Sequence, residues 1–152
     1  MTIKVILFLV INFSALGLGS WLMDGGSTGA WYQNLDKAPW TPPGWVFGAA
    51  WTTIMICFAV YMAMAWNKVP VRNTLLGLFL MQWVLNVLWN PVFFKYHQVF
   101  SGLIIITLLT LLVGFILVKY WSALGNRSLL LVPYFLWLLI ATSLNGYILF
   151  NN

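Results

Sequence analysis

The sequence has few charged side chains. Seven of its 152 residues are lysine or arginine and two are acidic, whereas 62% are hydrophobic. A soluble domain of this length needs more polar surface than that to cover its core, so the composition predicts an integral membrane protein. The basic residues are scattered singly and form no patch, which argues against nucleic acid as a partner and leaves the lipid bilayer as the expected surroundings.

The chain also lacks the residues that catalysis and metal binding normally require. Cys57 is the only cysteine and His97 the only histidine. One cysteine cannot form a disulfide framework, and one histidine lacks the partner that would orient it as a ligand or a base. No charged residue lies in the middle of an apolar run, which disfavours coupling to a proton or sodium gradient. We therefore predict no catalytic residue, no metal site and no bound cofactor.

Five apolar runs are each long enough to cross a bilayer, which takes about 20 residues as a helix. They lie at about 3–23, 43–66, 72–94, 99–121 and 128–150, and little remains outside them. The sequence therefore predicts an all-α membrane protein, a single bundle of five transmembrane helices over residues 1–152. The first run also has features of a signal peptide, with Lys4 before it, but it continues through Trp21 to Met23 and we favour a retained helix.

The connections between these runs are unequal. Those near 67–71, 95–98 and 122–127 are short, which predicts that consecutive helices are antiparallel neighbours. The first connection, residues 24–41, is long, and irregular backbone is not tolerated where it faces lipid. We expect it to fold as a lid over the mouth of the bundle. Thr41 then precedes Pro42 and Pro43, a pattern that predicts an N-cap followed by proline in the first helical turn.

The basic residues indicate the orientation in the membrane, because loops on the cytoplasmic side carry an excess of lysine and arginine. Both aspartates, His97 and two of the lysines fall on the side of the first loop. The other five basic residues fall on the side of the N-terminus: Lys4, Lys68, Arg72, Lys119 and Arg127. We therefore expect a cytoplasmic N-terminus, with the lid and the C-terminus on the opposite side.

Polar side chains form one stripe along the third run. Gln82, Asn86 and Asn90 recur at every fourth position, with Trp89 beside them, and they therefore share one helix face. Such a stripe either hydrogen-bonds a neighbouring helix or lines a cavity, and the spacing alone does not separate these two interpretations. Pro91, directly after the stripe, predicts a kink or the end of the helix.

An aromatic face follows on the fifth run, where helical spacing brings together Tyr134, Trp137, Ala141, Leu144 and Asn145. A small residue between large aromatic ones either admits a neighbouring helix closely or leaves room for a flat ligand. Aromatic stripes are more often core than pocket, because a pocket also needs convergent polar groups. Both interpretations stay open at this point.

The second run also leaves two interpretations open, helix packing or the wall of a pocket. Trp51 shares a face with Met55 and Phe58, and Gly44 and Gly48 have the spacing of a close-packing surface. Tryptophans near the ends of runs are expected in the interfacial belt. Those deeper in a run need a partner for the indole N–H, which favours the bundle interior. The deep ones are Trp51, Trp89 and Trp137.

Three aromatic segments stand out along the chain: WYQNLDKAPWTPPGWVFGAAW at 31–51, LNVLWNPVFF at 85–94 and PYFLWLLIATSLN at 133–145. They resemble the signature segments of the tryptophan-rich sensory protein family, also called the translocator protein or peripheral benzodiazepine receptor family. Together with the five runs and the long first loop, the resemblance covers essentially the whole chain.

The resemblance implies a membrane receptor or sensor, expected to be a homodimer. Its aromatic pocket would bind porphyrins such as protoporphyrin IX, a similar flat aromatic ligand, or benzodiazepine-site drugs. A light-dependent porphyrin-degrading enzyme and a porphyrin or lipid transporter are the alternatives. The implied ligand-binding residues are Tyr32, Trp51, Asn86, Trp89, Trp137, Ala141 and Leu144. We add Asn90, which stands where some members of the family have proline and supplies a further hydrogen-bonding group near the expected pocket.

Two features of the sequence bear on sterol binding and on the membrane in which the protein lies. The cholesterol motif proposed for eukaryotic members needs a basic residue after Tyr147, where this sequence has ILFNN, so we expect cholesterol binding to be weak. The short ends carry no amphipathic transit peptide, which favours a bacterial cell membrane.

Overall fold

The computed structural model describes residues 1–152, and all of its regular structure is helical. Five long helices are α1 (Thr2–Leu22), α3 (Gly44–Lys68), α4 (Arg72–Asn90), α5 (Val99–Lys119) and α7 (Val132–Asn151). Two short helices, α2 (Ala30–Gln33) and α6 (Trp121–Leu124), lie in the connections. The long helices belong to five stretches that are long and apolar enough to cross a membrane. The prediction of a five-helix membrane bundle is confirmed.

Prolines explain where several helices begin and end. Helix α4 ends at Asn90, and Pro91 opens a single π-helical turn over Pro91–Lys95, so the helix end predicted from this proline is confirmed. Pro133 lies in the first turn of α7, which follows a 3₁₀ stretch at Gly125–Leu131. In that position the missing N–H of proline leaves no hydrogen bond unmade.

The expected cap at Thr41 is wrong. Helix α3 begins at Gly44, and its N-cap is Pro43, which has a ψ of 150° and no side-chain cap. The reason lies in the two consecutive prolines, since a residue that precedes proline is pushed out of the helical region towards extended backbone. Thr41 is thereby held outside the helix.

The helices are not arranged strictly in chain order. Helix α1 packs between α3 and α4, and the ring continues through α5 to α7, which returns to α3. Asn12 of α1 donates to the Met55 carbonyl of α3 at 3.1 Å, and Trp83 of α4 donates to the Ile11 carbonyl of α1 at 3.0 Å. The prediction that α3 and α4 are direct neighbours is therefore wrong over most of their length. The long first connection gives α1 the freedom to lie between them.

The half of the bundle away from the first loop is densely packed. Phe58, Tyr61, Phe79 and Tyr134 are each at most 1% exposed. The Phe58 ring lies 5.6 to 6.2 Å from the rings of the other three. Gln82 donates to the Tyr134 hydroxyl at 2.8 Å. At Gln82, the polar stripe of α4 therefore hydrogen-bonds a neighbouring helix, α7.

The first loop folds over one end of the bundle, as expected of a lid. Trp31 stacks on His97 with ring centroids 4.2 Å apart. The Asp36 N–H donates to the Asn152 side chain at 2.8 Å, and the Asn152 amide returns a bond to the Asp36 carbonyl at 3.1 Å. Trp40 donates to Ser143 at 3.1 Å. The loop is thus anchored both to the connection between α4 and α5 and to α7.

Candidate functional site

A cavity of about 300 Å³ lies beneath the first loop, among α1, α3, α4 and α7. This is at the lower end of the range of about 300–1,000 Å³ that is usual for small-molecule pockets. Its lining includes six of the eight residues predicted for ligand binding: Trp51, Asn86, Trp89, Asn90, Trp137 and Ala141.

The other two predicted residues, Tyr32 and Leu144, line a smaller adjoining cavity of about 30 Å³. The two cavities share a wall made of Phe47, Trp89, Phe94 and Ala141. The structure therefore groups all eight residues around two neighbouring spaces. Their role in binding a ligand stays a prediction.

Buried hydrogen bonds fix the orientation of Trp89. In the amide orientation that satisfies both of its groups, Asn145 accepts from the Trp89 indole N–H at 3.2 Å and donates to the Val99 carbonyl at 3.0 Å. Asn145 is 2% exposed. Phe93 also stacks on the Trp89 ring, with ring centroids 5.2 Å apart and an angle of 11° between the planes. This indole is therefore a preorganised wall of the cavity, held by α7 and the start of α5.

The two other deep tryptophans are held by edge-to-face contacts. Trp137 meets Phe47 at a centroid distance of 5.3 Å, and Trp51 meets Tyr134 at 6.0 Å. Such contacts contribute about 0.5–1.5 kcal/mol beyond the area that they bury. The hypothesis that the deep tryptophans face the bundle interior agrees with their positions, since all three line the larger cavity.

Two asparagine side chains supply polar groups to this apolar space. The Asn90 amide donates to the Asn86 carbonyl at 2.9 Å. Across from it, a Cβ atom added at Gly19 of α1 would lie 2.6 Å from the Asn90 nitrogen. A glycine at this position of α1 therefore lets the asparagine side chain fit between the two helices. Both asparagine residues line the larger cavity.

Gly44 and Gly48 do not form a close-packing surface within the chain. Both line the larger cavity, and no heavy atom lies within 4 Å of the place where a Cβ would stand on either one. The close-packing interpretation of this pair is therefore not what the structure shows. Instead, the missing side chains keep one wall of the cavity open.

Tyr32 is the most buried aromatic residue of the first loop, at 7% exposure. Its ring packs edge-on against Phe93 and Phe94, at 6.3 and 5.4 Å. Burial raises the pKa of the Tyr32 hydroxyl above its ordinary value of 10.0. The ammonium of Lys37 lies 5.4 Å from the ring centroid and donates to the Tyr32 carbonyl at 3.2 Å. Tyr32 is thus the residue through which the loop is inserted into the bundle.

Comparison with known proteins places this architecture in a family. The model of the TspO/MBR family matches residues 6–150. The chain belongs to the TspO/MBR family. It is 37% identical to the protein CrtK of Rhodobacter capsulatus over 78% of this chain and 76% of that one. It is 32% identical to the tryptophan-rich protein TspO of Archaeoglobus fulgidus over 94% of each chain. It is 30% identical to the human translocator protein over 76% of this chain and 70% of that one.

Membership of the TspO/MBR family agrees with a five-helix, multi-pass membrane protein. Sequence reasoning nevertheless missed part of the cavity lining. Helix α1 and the residues after it contribute Leu16, Ser20, Met23 and Ser27. No pattern in α1 marks these residues, because their position depends on the insertion of α1 between α3 and α4.

Proposed function

We propose that this member of the TspO/MBR family is a membrane receptor or sensor for a flat aromatic ligand. The ligand class is a porphyrin such as protoporphyrin IX or a benzodiazepine-site drug. One observation carries the proposal: Trp51, Trp89 and Trp137 line the same cavity as Asn86 and Asn90. Aromatic walls supply stacking and apolar burial, while a few amides fix the orientation of the ligand.

The cavity size bears on which ligand fits without rearrangement. A space of about 300 Å³ suits a compact aromatic drug. A tetrapyrrole macrocycle is larger, and because the adjoining cavity adds only about 30 Å³, its entry would need the walls to move. Phe47 and Phe94 lie in the shared wall, so we propose that these two rings move aside when a porphyrin enters.

A light-dependent degradation of porphyrin is the second candidate function. Trp51 and Trp137 line one cavity, so a porphyrin bound there would lie beside two indoles. Its excited state is able to take one electron from an indole, which leaves an indole radical cation and a porphyrin radical anion, and this transfer needs no acid, base or metal. Dissolved oxygen would be the oxidant that the further breakdown of the pigment consumes. The absence of any cluster of histidine, cysteine and acidic residues is compatible with such chemistry.

One experiment separates the two candidates. Protoporphyrin IX is added to the purified protein in detergent, and its absorption and fluorescence are followed in the dark and under illumination. A receptor gives a saturable spectral shift in both conditions. An enzyme consumes the pigment only in the light, and variants with phenylalanine at Trp51 and Trp137 would lose that consumption while keeping the shift. No saturable shift in the dark would contradict both proposals.

The variant Ala141→Thr tests whether the cavity is the site. Overpacking a fitted site costs about 1–3 kcal/mol, which corresponds to a loss of affinity of roughly ten- to hundredfold. The melting temperature should stay unchanged, since the added atoms enter a cavity. Ala49→Thr, at an exposed position of α3, is the matched control. Unchanged affinity with a lowered melting temperature would make Ala141 a packing residue and not a binding one.

The surroundings of the site are proposed from the sequence. We propose that the lid faces away from the cytoplasm, because the basic residues collect at the other end of the bundle. A bacterial cell membrane, a homodimer and weak sterol binding likewise stay predictions. For the sterol, the structure adds that Asn152 is already occupied by its bonds to Asp36.

A further inference from the structure

The end of the bundle opposite the lid carries positive charge without acidic partners. Lys4, Lys68 and Arg72 lie at the ends of α1, α3 and α4 on this side. The two acidic side chains of the chain, Asp24 and Asp36, lie in the first loop at the other end. No carboxylate side chain therefore neutralises this cluster of cations.

An open cavity of about 470 Å³ lies at the surface beside Lys68 and Arg72, formed by residues 67–73 at the end of α3, the connection and the start of α4. Lys68, Arg72 and the amides of Asn67 and Asn73 supply its polar lining, and the short connection at residues 69–71 supplies the rest. This volume is ample for a phosphate group and part of the molecule to which it is attached.

The contacts of these side chains leave donors free for a ligand. The Nε of Arg72 donates to the Trp66 carbonyl at 3.2 Å, and its guanidinium carbon lies 5.8 Å from the Trp66 ring centroid. One edge of the guanidinium is thus fixed, and the two terminal nitrogens remain for another acceptor. Lys4 donates to the Asn67 side chain, which brings a third cation to the rim of the cavity.

Two properties of the cavity indicate the class of ligand: the chemistry of its side chains and its level relative to the membrane surface. A fixed arginine fork beside lysine ammonium groups is the arrangement that binds phosphate in proteins. Trp66 is a tryptophan near the end of a transmembrane helix, a position that lies at the level of the lipid headgroups. Basic pockets between helices at this level bind anionic headgroups. We propose that the cavity between α3 and α4 is a phosphate-group site, filled by the headgroup of an anionic phospholipid.

The test measures lipid binding directly. Purified protein in a neutral detergent is titrated with a short-chain phosphatidylglycerol or with the matched phosphatidylcholine, and bound lipid is counted by native mass spectrometry. We expect tighter binding of the phosphatidylglycerol. The double variant Lys68→Gln and Arg72→Gln should weaken phosphatidylglycerol binding roughly 25-fold. Each basic residue is expected to contribute about fivefold, which is equivalent to ~1 kcal/mol.

A matched control removes the same charge at the same end. Lys119 and Arg127 lie on this side but do not line the cavity, so Lys119→Gln with Arg127→Gln should change the affinity less than about twofold. Arg72→Lys keeps the charge but loses the fork, and its effect should be intermediate. Melting temperatures of all the variants identify any that fail to fold.

Three outcomes would overturn the proposal. Equal weakening by the two double variants would show a general surface-charge effect. Equal affinity for the two lipids in the native chain would remove the anionic headgroup as the ligand. Displacement of the lipid by millimolar inorganic phosphate would assign the site to free phosphate and contradict the lipid assignment.

Discussion

The two halves of the bundle interior differ although the same long helices build them. Away from the lid, α3 presents Phe58 and Tyr61, which are at most 1% exposed. Under the lid, α3 presents Gly44 and Gly48, which line the larger cavity. The comparison teaches that small residues on α3 leave the interior open at one end, whereas large side chains fill it at the other.

Truncating a large side chain should have the greatest effect, and only in the solid half. Phe58→Ala removes a ring that is 0% exposed, and such truncations cost about 3–5 kcal/mol in packed cores. Phe47→Ala removes a ring beside an existing cavity, so we expect less than about half that loss. Reversible unfolding in mixed detergent measures both. Equal losses would mean that the space under the lid is as tightly packed as the other half.

Adding a side chain should have opposite consequences in the two halves. Gly48→Leu fills open space, so it should lower ligand affinity about ten- to hundredfold without loss of stability. Ala59→Leu, at a 0% exposed position, should cost about 1–3 kcal/mol of stability and leave affinity unchanged. Ligand titration and thermal unfolding of both variants make the comparison. A stable Ala59→Leu variant would show hidden space in the solid half.

Removing the support of Trp89 should have a moderate effect. Asn145→Leu leaves the indole N–H and the Val99 carbonyl without their partner, which costs about 1–3 kcal/mol. We expect the indole N–H resonance of Trp89 to shift and broaden, and ligand affinity to fall roughly three- to tenfold. Asn151→Leu, at an exposed position of the same helix, is the control. An unchanged Trp89 resonance would contradict the positioning role of Asn145.

The smallest effect concerns the docking of the lid at alkaline pH. Because burial raises the pKa of Tyr32 in the docked loop, docking favours the protonated hydroxyl. This contribution is complete below the ordinary pKa of 10.0 and is lost as the pH rises through the raised value. We expect hydrogen exchange of the loop amides to accelerate above about pH 10 more than base catalysis alone explains. Tyr32→Phe should remove that excess, and an identical excess in this variant would assign it to another group.

The sequence predicts much of the fold, because lipid imposes simple rules on it. Run length and the proline at 91 are enough to find the five spans and the end of α4. The prediction that α3 and α4 are direct neighbours is wrong, because α1 packs against α3 through Asn12 and Met55. Such a tertiary contact leaves no trace in the local sequence pattern. Short connections limit the distance between helix ends, but they leave room for another helix between the helix bodies.

The candidate site was predicted in part. The stripes of α4 and α7 point to Asn86, Trp89 and Trp137 because periodicity reveals which residues share a face. Periodicity cannot reveal whether a small residue admits a helix or leaves a space, so the spacing of Gly44 and Gly48 does not show that they border a cavity. Leu16 and Ser20 of α1 belong to no aromatic or amide stripe in the sequence, so only the assembled bundle shows that they line the cavity.

The anchoring of the lid has a kinetic consequence. Trp31, Asp36 and Trp40 attach it to two segments that are far apart in the chain, so freeing one contact does not open the mouth of the cavity. A ligand would then leave only when the anchors release together, and residence time would be set by lid opening and not by the contacts inside the cavity. Substitutions at these anchors should therefore change association and dissociation rates in parallel while the equilibrium constant hardly moves.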